Sequence, residues 1–131
     1  MSDMVYNFKG KKILVAEDDL SNFELVRIIL NTAGAEVIHA RHGAEAIALV
    51  EQHSFHLIIM DIQMPVLNGL EAIKVIKAKQ PNVPIIAQTA YAMTGDRERI
   101  MGTGCDEYIP KPINKKAMLH IIDKILKKQD S

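Results

Sequence analysis

The chain has no tryptophan, one cysteine, three tyrosines and three phenylalanines in 131 residues. A single thiol, Cys105, excludes an internal disulfide framework and a cysteine-based zinc site. It reads instead as a small buried hydrophobe. Net charge is also missing, because sixteen basic and sixteen acidic residues cancel. No global field therefore draws the chain to nucleic acid or to an anionic membrane, and neither is expected as a direct partner. No apolar run approaches the ~18 residues of a membrane helix. Met1 to Lys12 is mixed and polar, without a signal-type segment. The expectation is a soluble cytoplasmic domain. What the sequence does have is an ordinary globular balance, with 48% apolar and 24% charged residues. One domain over residues 1–131 follows, with no repeat and no low-complexity segment.

Short apolar runs alternate with longer amphipathic ones. Ile13 to Ala16 reads as a first strand. Val26, Ile29, Leu30 and Ala33 recur at helical spacing, with Ser21 and Glu24 as a capping box and Gly34 as the stop. Glu36 to Ala40 is a second strand, and Ala44, Ile47 and Ala48 mark a second helix ending near His53. His56 to Met60 is a third strand whose continuous apolarity suits burial on both faces. Asp61 to Asn68 is a loop. Leu70, Ile73 and Ile76 give a third helix its inner face, with Lys74, Lys77 and Lys79 outside. Ile85 to Gln88 is a fourth strand, although Gln88 is polar where burial is expected. Met93 to Gly102 is a fourth helix poor in apolar positions, and Glu107 to Ile109 a short fifth strand. Met118, Ile121, Ile122 and Ile125 mark the last helix at i, i+3, i+4, i+7. Its lysines read as a solvated face, and Gln129 to Ser131 as a frayed tail. Five βα units in strict alternation predict an α/β fold: a doubly wound, five-stranded parallel sheet with helices on both faces.

Ligand sites in such sheets lie beyond the carboxyl ends of the strands, where strand order reverses. That rule singles out Glu17, Asp18 and Asp19 after strand one, Asp61 after strand three, Thr89 after strand four and Lys111 after strand five. With the order 2-1-3-4-5, strands one and three are neighbours and their carboxylates converge. Clustered carboxylates ionise together only beside a cation, and a few carboxylates with waters suit Mg²⁺. Lys111 adds a second positive charge and Thr89 a hydroxyl. Such a set suits a phosphoryl group carried on a carboxylate. His39 and His42 straddle a strand end and a helix start, which argues against a metal site there.

Four segments at these strand ends carry a resemblance. They are Ile13-Leu14-Val15-Ala16-Glu17-Asp18, then Met60-Asp61-Ile62-Gln63-Met64-Pro65 with Asn68-Gly69, then Gln88-Thr89-Ala90, and Tyr108-Ile109-Pro110-Lys111-Pro112-Ile113. Together they resemble the response-regulator receiver domains of two-component signalling, chemotaxis-regulator-like, over about Lys11 to Leu126. The resemblance implies a flavodoxin-like fold and a phosphoacceptor switch. Asp61 would be the phosphorylated nucleophile. Glu17 and Asp18 would hold Mg²⁺, Asp18 directly and Glu17 through water, with the backbone carbonyl of Gln63 as a further ligand. Thr89 would be the switch hydroxyl, Lys111 the paired lysine, Lys111-Pro112 a cis peptide, and Tyr108 the aromatic switch. Gln63 and Tyr91 would flank the path of hydrolytic water and tune dephosphorylation. Gln63 either holds that water or faces solvent, and Tyr91 either folds inward to shield the phosphoryl group, the reading preferred because Ala90 beside it is small, or turns outward to solvent or a partner. Asp19 leaves Asp18-Asp19 as a second choice for the acidic pair, and Glu17-Asp18 is preferred for its offset from the strand.

The implied partners are a histidine kinase or histidine phosphotransfer protein and a downstream protein read by the face of helix four, strand five and helix five. The chain would be a monomer or a weak phosphorylation-dependent dimer. It would not be an enzyme, promoting only its own phosphorylation and dephosphorylation. With no output domain after Ser131, it would be a stand-alone regulator or the receiver of a hybrid histidine kinase. Two other classes fit the fold less well. A haloacid-dehalogenase phosphatase needs a general-acid Asp where Gln63 stands. A flavodoxin-like electron carrier needs a phosphate-binding loop where Glu17-Asp18-Asp19 would repel phosphate.

Overall fold

Five short strands carry the most apolar segments, and each is followed by a helix. The computed structural model describes residues 6–64, 67–90 and 94–130. In chain order the elements are β1 (Lys12–Ala16), α1 (Leu20–Thr32), β2 (Glu36–Ala40), α2 (Gly43–Gln52), β3 (Leu57–Asp61), α3 (Gly69–Lys79), β4 (Ile85–Thr89), α4 (Thr94–Met101), β5 (Glu107–Pro110) and α5 (Lys115–Asp130). The strands form one sheet in the order β2-β1-β3-β4-β5, parallel throughout. The expected doubly wound topology is thus the observed one.

Side chains of a strand alternate between faces, so each central strand feeds two cores. Leu14, Ala16, Ile58, Met60, Ile85 and Ala87 pack with Ala46, Val50, Ala72, Ile73 and Ile76 on one side. Ile13, Val15, Leu57, Ile59 and Ile86 pack with Val26, Leu30, Met118 and Ile122 on the other. Removing the larger of these side chains would cost about 2–5 kcal/mol each. The continuous run Leu57-Ile58-Ile59-Met60 is wholly buried, because both faces of β3 are covered.

Several local expectations are corrected. Asp19, not Ser21, caps α1, its carboxylate accepting from the Asn22 amide; this satisfies one of the orphan donors of the first turn. Gly34 does stop the helix, at φ 100°. On α2 the buried positions are Ala46 and Val50, while Ala44 and Ala48 are exposed. On α5, Met118, Leu119, Ile122 and Leu126 are buried, and Ile121 and Ile125 lie at the edge of the stripe. Lys77 is not a free outer lysine: its ammonium donates to the Val83 carbonyl at 2.6 Å and pairs with Asp106 at 2.8 Å. Gln129 continues α5 and donates to the His56 carbonyl, so it is not frayed. Gln88 is 1% exposed, and its Nε2 has no hydrogen-bond partner among the described residues, a cost of about 1–3 kcal/mol. No helix among the described residues is long and apolar enough to cross a membrane.

Candidate functional site

The order reversal between β1 and β3 opens a crevice at their carboxyl ends. Glu17 follows β1 directly, and its amide extends the ladder by donating to the Ala40 carbonyl. That turns its side chain into the crevice, where it is 1% exposed. Its Oε2 accepts from the Asp19 amide at 3.2 Å. Asp61 is the last residue of β3 and is 2% exposed. Its Oδ1 accepts from the Gln63 amide at 3.1 Å. Asp18 is exposed at the mouth, and carboxylate oxygens of Glu17, Asp18 and Asp61 lie within 4.8 Å of one another.

Lys111 enters from the end of β5. Its main-chain N–H donates to the Thr89 carbonyl, and Lys111-Pro112 is cis, as the resemblance implies. Its Nζ lies 3.0 Å from Glu17 Oε1 and 3.2 Å from Asp61 Oδ2. One ammonium thus serves two buried carboxylates. Burial, and then the hydrogen bond and charge of Asp61, push the Glu17 carboxyl up to about 7, against the pull of Lys111. For Lys111, burial works against the charged form, but the Glu17 hydrogen bond and the Asp61 charge outweigh it and raise the ammonium above its usual value.

Thr89 closes β4 beside Asp61. The Gln63 side chain spans the gap between their loops, Nε2 donating to Thr89 Oγ1 at 3.2 Å and Oε1 accepting from the Ala90 amide at 3.3 Å. Gln63 is exposed, yet these two bonds hold its amide in place. Tyr108 is half-buried against the α2–α3 side core, with the Arg97 guanidinium of α4 5.6 Å from its ring centre. Tyr91 lies outside the described residues.

Three structural roles escaped the sequence reading. Asp19 is occupied as the α1 cap, which leaves Glu17 and Asp18 as the acidic pair facing Asp61. Gly69 opens α3 where an added Cβ would lie 2.2 Å from the Asp61 carbonyl oxygen, so only glycine lets the helix approach the end of β3. His39 places Nε2 2.7 Å from the Glu17 carbonyl. The Asn68-Gly69 pair was a visible signal for the second; cross-strand contacts such as the third have none. His42 caps α2, its Nδ1 accepting from the Glu45 amide.

The donor set fits a hard divalent cation. All candidate ligand atoms are oxygens, and three carboxylates face one ammonium. Part of that excess shows as the upward push on Glu17. Oxygen donors with room for water at an exposed mouth suit Mg²⁺ over softer metals.

Comparisons with known proteins agree with this geometry. The family model "Response regulator receiver domain" matches residues 13–123. The polar-differentiation response regulators DivK of Brucella ovis and Brucella abortus are 41% identical over 118 residues, covering 88% of this chain and 96% of theirs. The receiver domain of the sensor histidine kinase PA1611 from Pseudomonas aeruginosa PAO1, solved with magnesium coordinated in its active-site cleft, superposes with a TM-score of 0.84. It is 32% identical, with 90% of this chain and 98% of that one covered. A chain of the co-crystal of the Saccharomyces cerevisiae phosphotransfer protein Ypd1 with the receiver domain of Ssk1 gives 0.87 at 29% identity, covering 93% and 92%. With its sheet order, its acidic crevice compatible with Mg²⁺ and aspartate phosphorylation, and these matches, the chain belongs to the response regulator receiver domains, signalling regulators of two-component systems.

Proposed function

We propose that Asp61 is the phosphoacceptor and that a phosphohistidine on a histidine kinase or histidine phosphotransfer protein is the donor. The observation that carries this reading is the shared Lys111 ammonium at the strand-order reversal, between Glu17 and Asp61. A carboxylate oxygen of Asp61 attacks phosphorus; the new O–P bond forms as the N–P bond breaks and the imidazole leaves. Lys111 holds Asp61 oriented for this attack and then pairs with the phosphoryl oxygens. Glu17, Asp18, Asp61 and the Gln63 carbonyl are the residues that would hold Mg²⁺, which when bound neutralises charge on the incoming phosphoryl group. The magnesium-bound PA1611 receiver supports that assignment.

Asp61 is too buried for a donor to meet at a distance, so the donor has to seat its histidine at the mouth. Leu20, Leu25 and Ile28 of α1 are exposed apolar residues on the helix that starts at that mouth, and Ypd1 with the receiver domain of Ssk1 is a case of a phosphotransfer protein in complex with a receiver. Within this reading the Thr89 hydroxyl turns to the phosphoryl group, and Tyr108 transmits the change through α4, β5 and α5. That is a local charge change biasing a two-state surface. The protein turns over no substrate other than its own phosphoryl group, and it works where histidine kinases present their catalytic domains, in the cytoplasm.

Intact-mass measurement after incubation with a small-molecule phosphodonor and Mg²⁺ tests the assignment. Wild type gains one phosphoryl unit and Asp61→Asn gains none; the same gain in both overturns it. Tyr91 is proposed to shield the phosphoryl group from in-line water. Tyr91→Ala then loses the phosphoryl group faster in Mg²⁺ buffer, and an unchanged decay removes Tyr91 from the mechanism.

A further inference from the structure

The acidic pair sits on a loop whose first residue is clamped from β2 on both sides. The Glu17 amide donates to the Ala40 carbonyl at 2.9 Å, and the Glu17 carbonyl lies 2.7 Å from His39 Nε2. A carbonyl oxygen only accepts, so Nε2 carries the proton and donates. The His39 ring is itself fixed. It stacks on Phe23 of α1 with centroids 3.7 Å apart and planes 13° from parallel. His39 pairs with Val15 in the β1–β2 register, so its side chain rises on the α1 side of the sheet, beside the loop. The bond thus ties three elements together: β2 through the residue itself, α1 through the stack, and the β1–α1 loop through the carbonyl.

The atom it holds matters. The Glu17 carbonyl belongs to the peptide plane that leads into Asp18, and turning that plane swings the Asp18 Cα and its carboxylate. Asp18 is exposed, so packing does little to aim it. Glu17 is held independently by burial and by Lys111. We propose that His39 is a positioning residue for the metal site, presetting the Glu17–Asp18 peptide so that Asp18 faces Asp61 before any cation arrives. Preorganised ligands lose less conformational freedom on binding, so the device appears as Mg²⁺ affinity rather than as stability.

The proposal rests on the reading of Glu17, Asp18 and Asp61 as the Mg²⁺ ligands, and the experiment separates the two. Mg²⁺ binding to the metal-free protein is measured by calorimetry for wild type, Asp18→Ala, His39→Phe, His39→Gln and Phe23→Leu, with thermal melts of each. His39→Phe keeps a flat ring against Phe23 and loses the donor; its affinity is expected to fall about three- to tenfold, the worth of one net hydrogen bond, with melting close to wild type. His39→Gln, whose amide can donate to the same carbonyl, recovers most of the affinity. Wild-type affinity in His39→Phe, or equal weakness in both His39 variants, overturns the positioning role. If His39→Phe fails to fold, Phe23→Leu decides: it keeps the donor and frees the ring. Weakened binding there supports the proposal and unchanged binding overturns it. If Asp18→Ala binds Mg²⁺ as wild type does, the ligand assignment itself fails, whatever His39 does.

Discussion

The side-chain amide of Gln63 lies across the hydroxyl of Thr89, 3.2 Å away, while its oxygen takes the Ala90 amide. In this state the residue two past Asp61 braces the end of β4. A phosphoryl group on Asp61 that draws the Thr89 hydroxyl toward itself has to break or stretch that brace. Removing it with Gln63→Ala should favour the switched state. The expected effect is about two- to tenfold tighter binding of beryllofluoride with Mg²⁺, the value of ~0.5–1.5 kcal/mol per hydrogen bond. Unchanged or weaker binding would show that the brace does not oppose switching.

Glu17 predicts how stability depends on pH. Its folded carboxyl is raised to about 7 by burial and by Asp61, well above the ~4.3 of an unfolded glutamate. The folded state thus holds this proton more tightly than the unfolded state does. Its contribution is complete below about pH 4.3 and is lost as pH rises toward 7. Metal-free protein should lose on the order of 1–3 kcal/mol across that window. Glu17→Gln, permanently neutral, should lose less. Melting curves at pH 5 and pH 8 in chelator compare the two; parallel losses would remove Glu17 as the source.

Asp18 and Asp19 should part company on substitution. Asp19→Ala loses the α1 cap and should cost about 1 kcal/mol of stability with little change in Mg²⁺ affinity. Asp18→Ala should do the opposite. Calorimetry and melting of both variants check this. A larger affinity loss in Asp19→Ala would move the acidic pair by one residue.

Gly69→Ala should be destabilising out of proportion to its one added methyl group. The new carbon would lie 2.2 Å from the Asp61 carbonyl oxygen and 2.7 Å from Ile62 Cα. Neither backbone atom can step aside without moving the end of β3. A loss of ~1–3 kcal/mol is expected from overpacking, together with slower phosphorylation by a small-molecule donor. A variant that melts with wild type would mean that α3 slides freely against β3.

The sheet was legible because its strands are short, apolar and separated by single helices. Handedness and layering then leave few arrangements. The candidate positions Glu17, Asp61, Thr89 and Lys111 could be grouped from the sequence because the topology places the strand ends that carry them at one edge. Helix phase was read less well. On α5 the apolar residues span more than half the circumference, so Ile121 and Ile125 were as eligible for burial as Leu119 and Leu126, and only docking chose between them. On α2 six alanine and aliphatic positions competed in the same way. The α1 cap was misplaced because Ser21 and Asp19 both have capping side chains, and the start of the helix decided. His39 carries no local signal at all, since its partners, Phe23 and the Glu17 carbonyl, come from other elements.

Glu17 and Lys111 are 94 positions apart in the chain, and this separation orders events during synthesis. The β1, β3 and β4 strands precede Lys111 in the chain and are synthesised before it. At that stage the chain holds the carboxylates without their ammonium. Only when the last βα unit docks does Lys111 reach Glu17 and Asp61. Contacts of such sequence separation form late, because the loop entropy is met before the contact rewards it. A chain that stops before residue 111 therefore keeps both acidic strand ends and lacks the ammonium that the two buried carboxylates share.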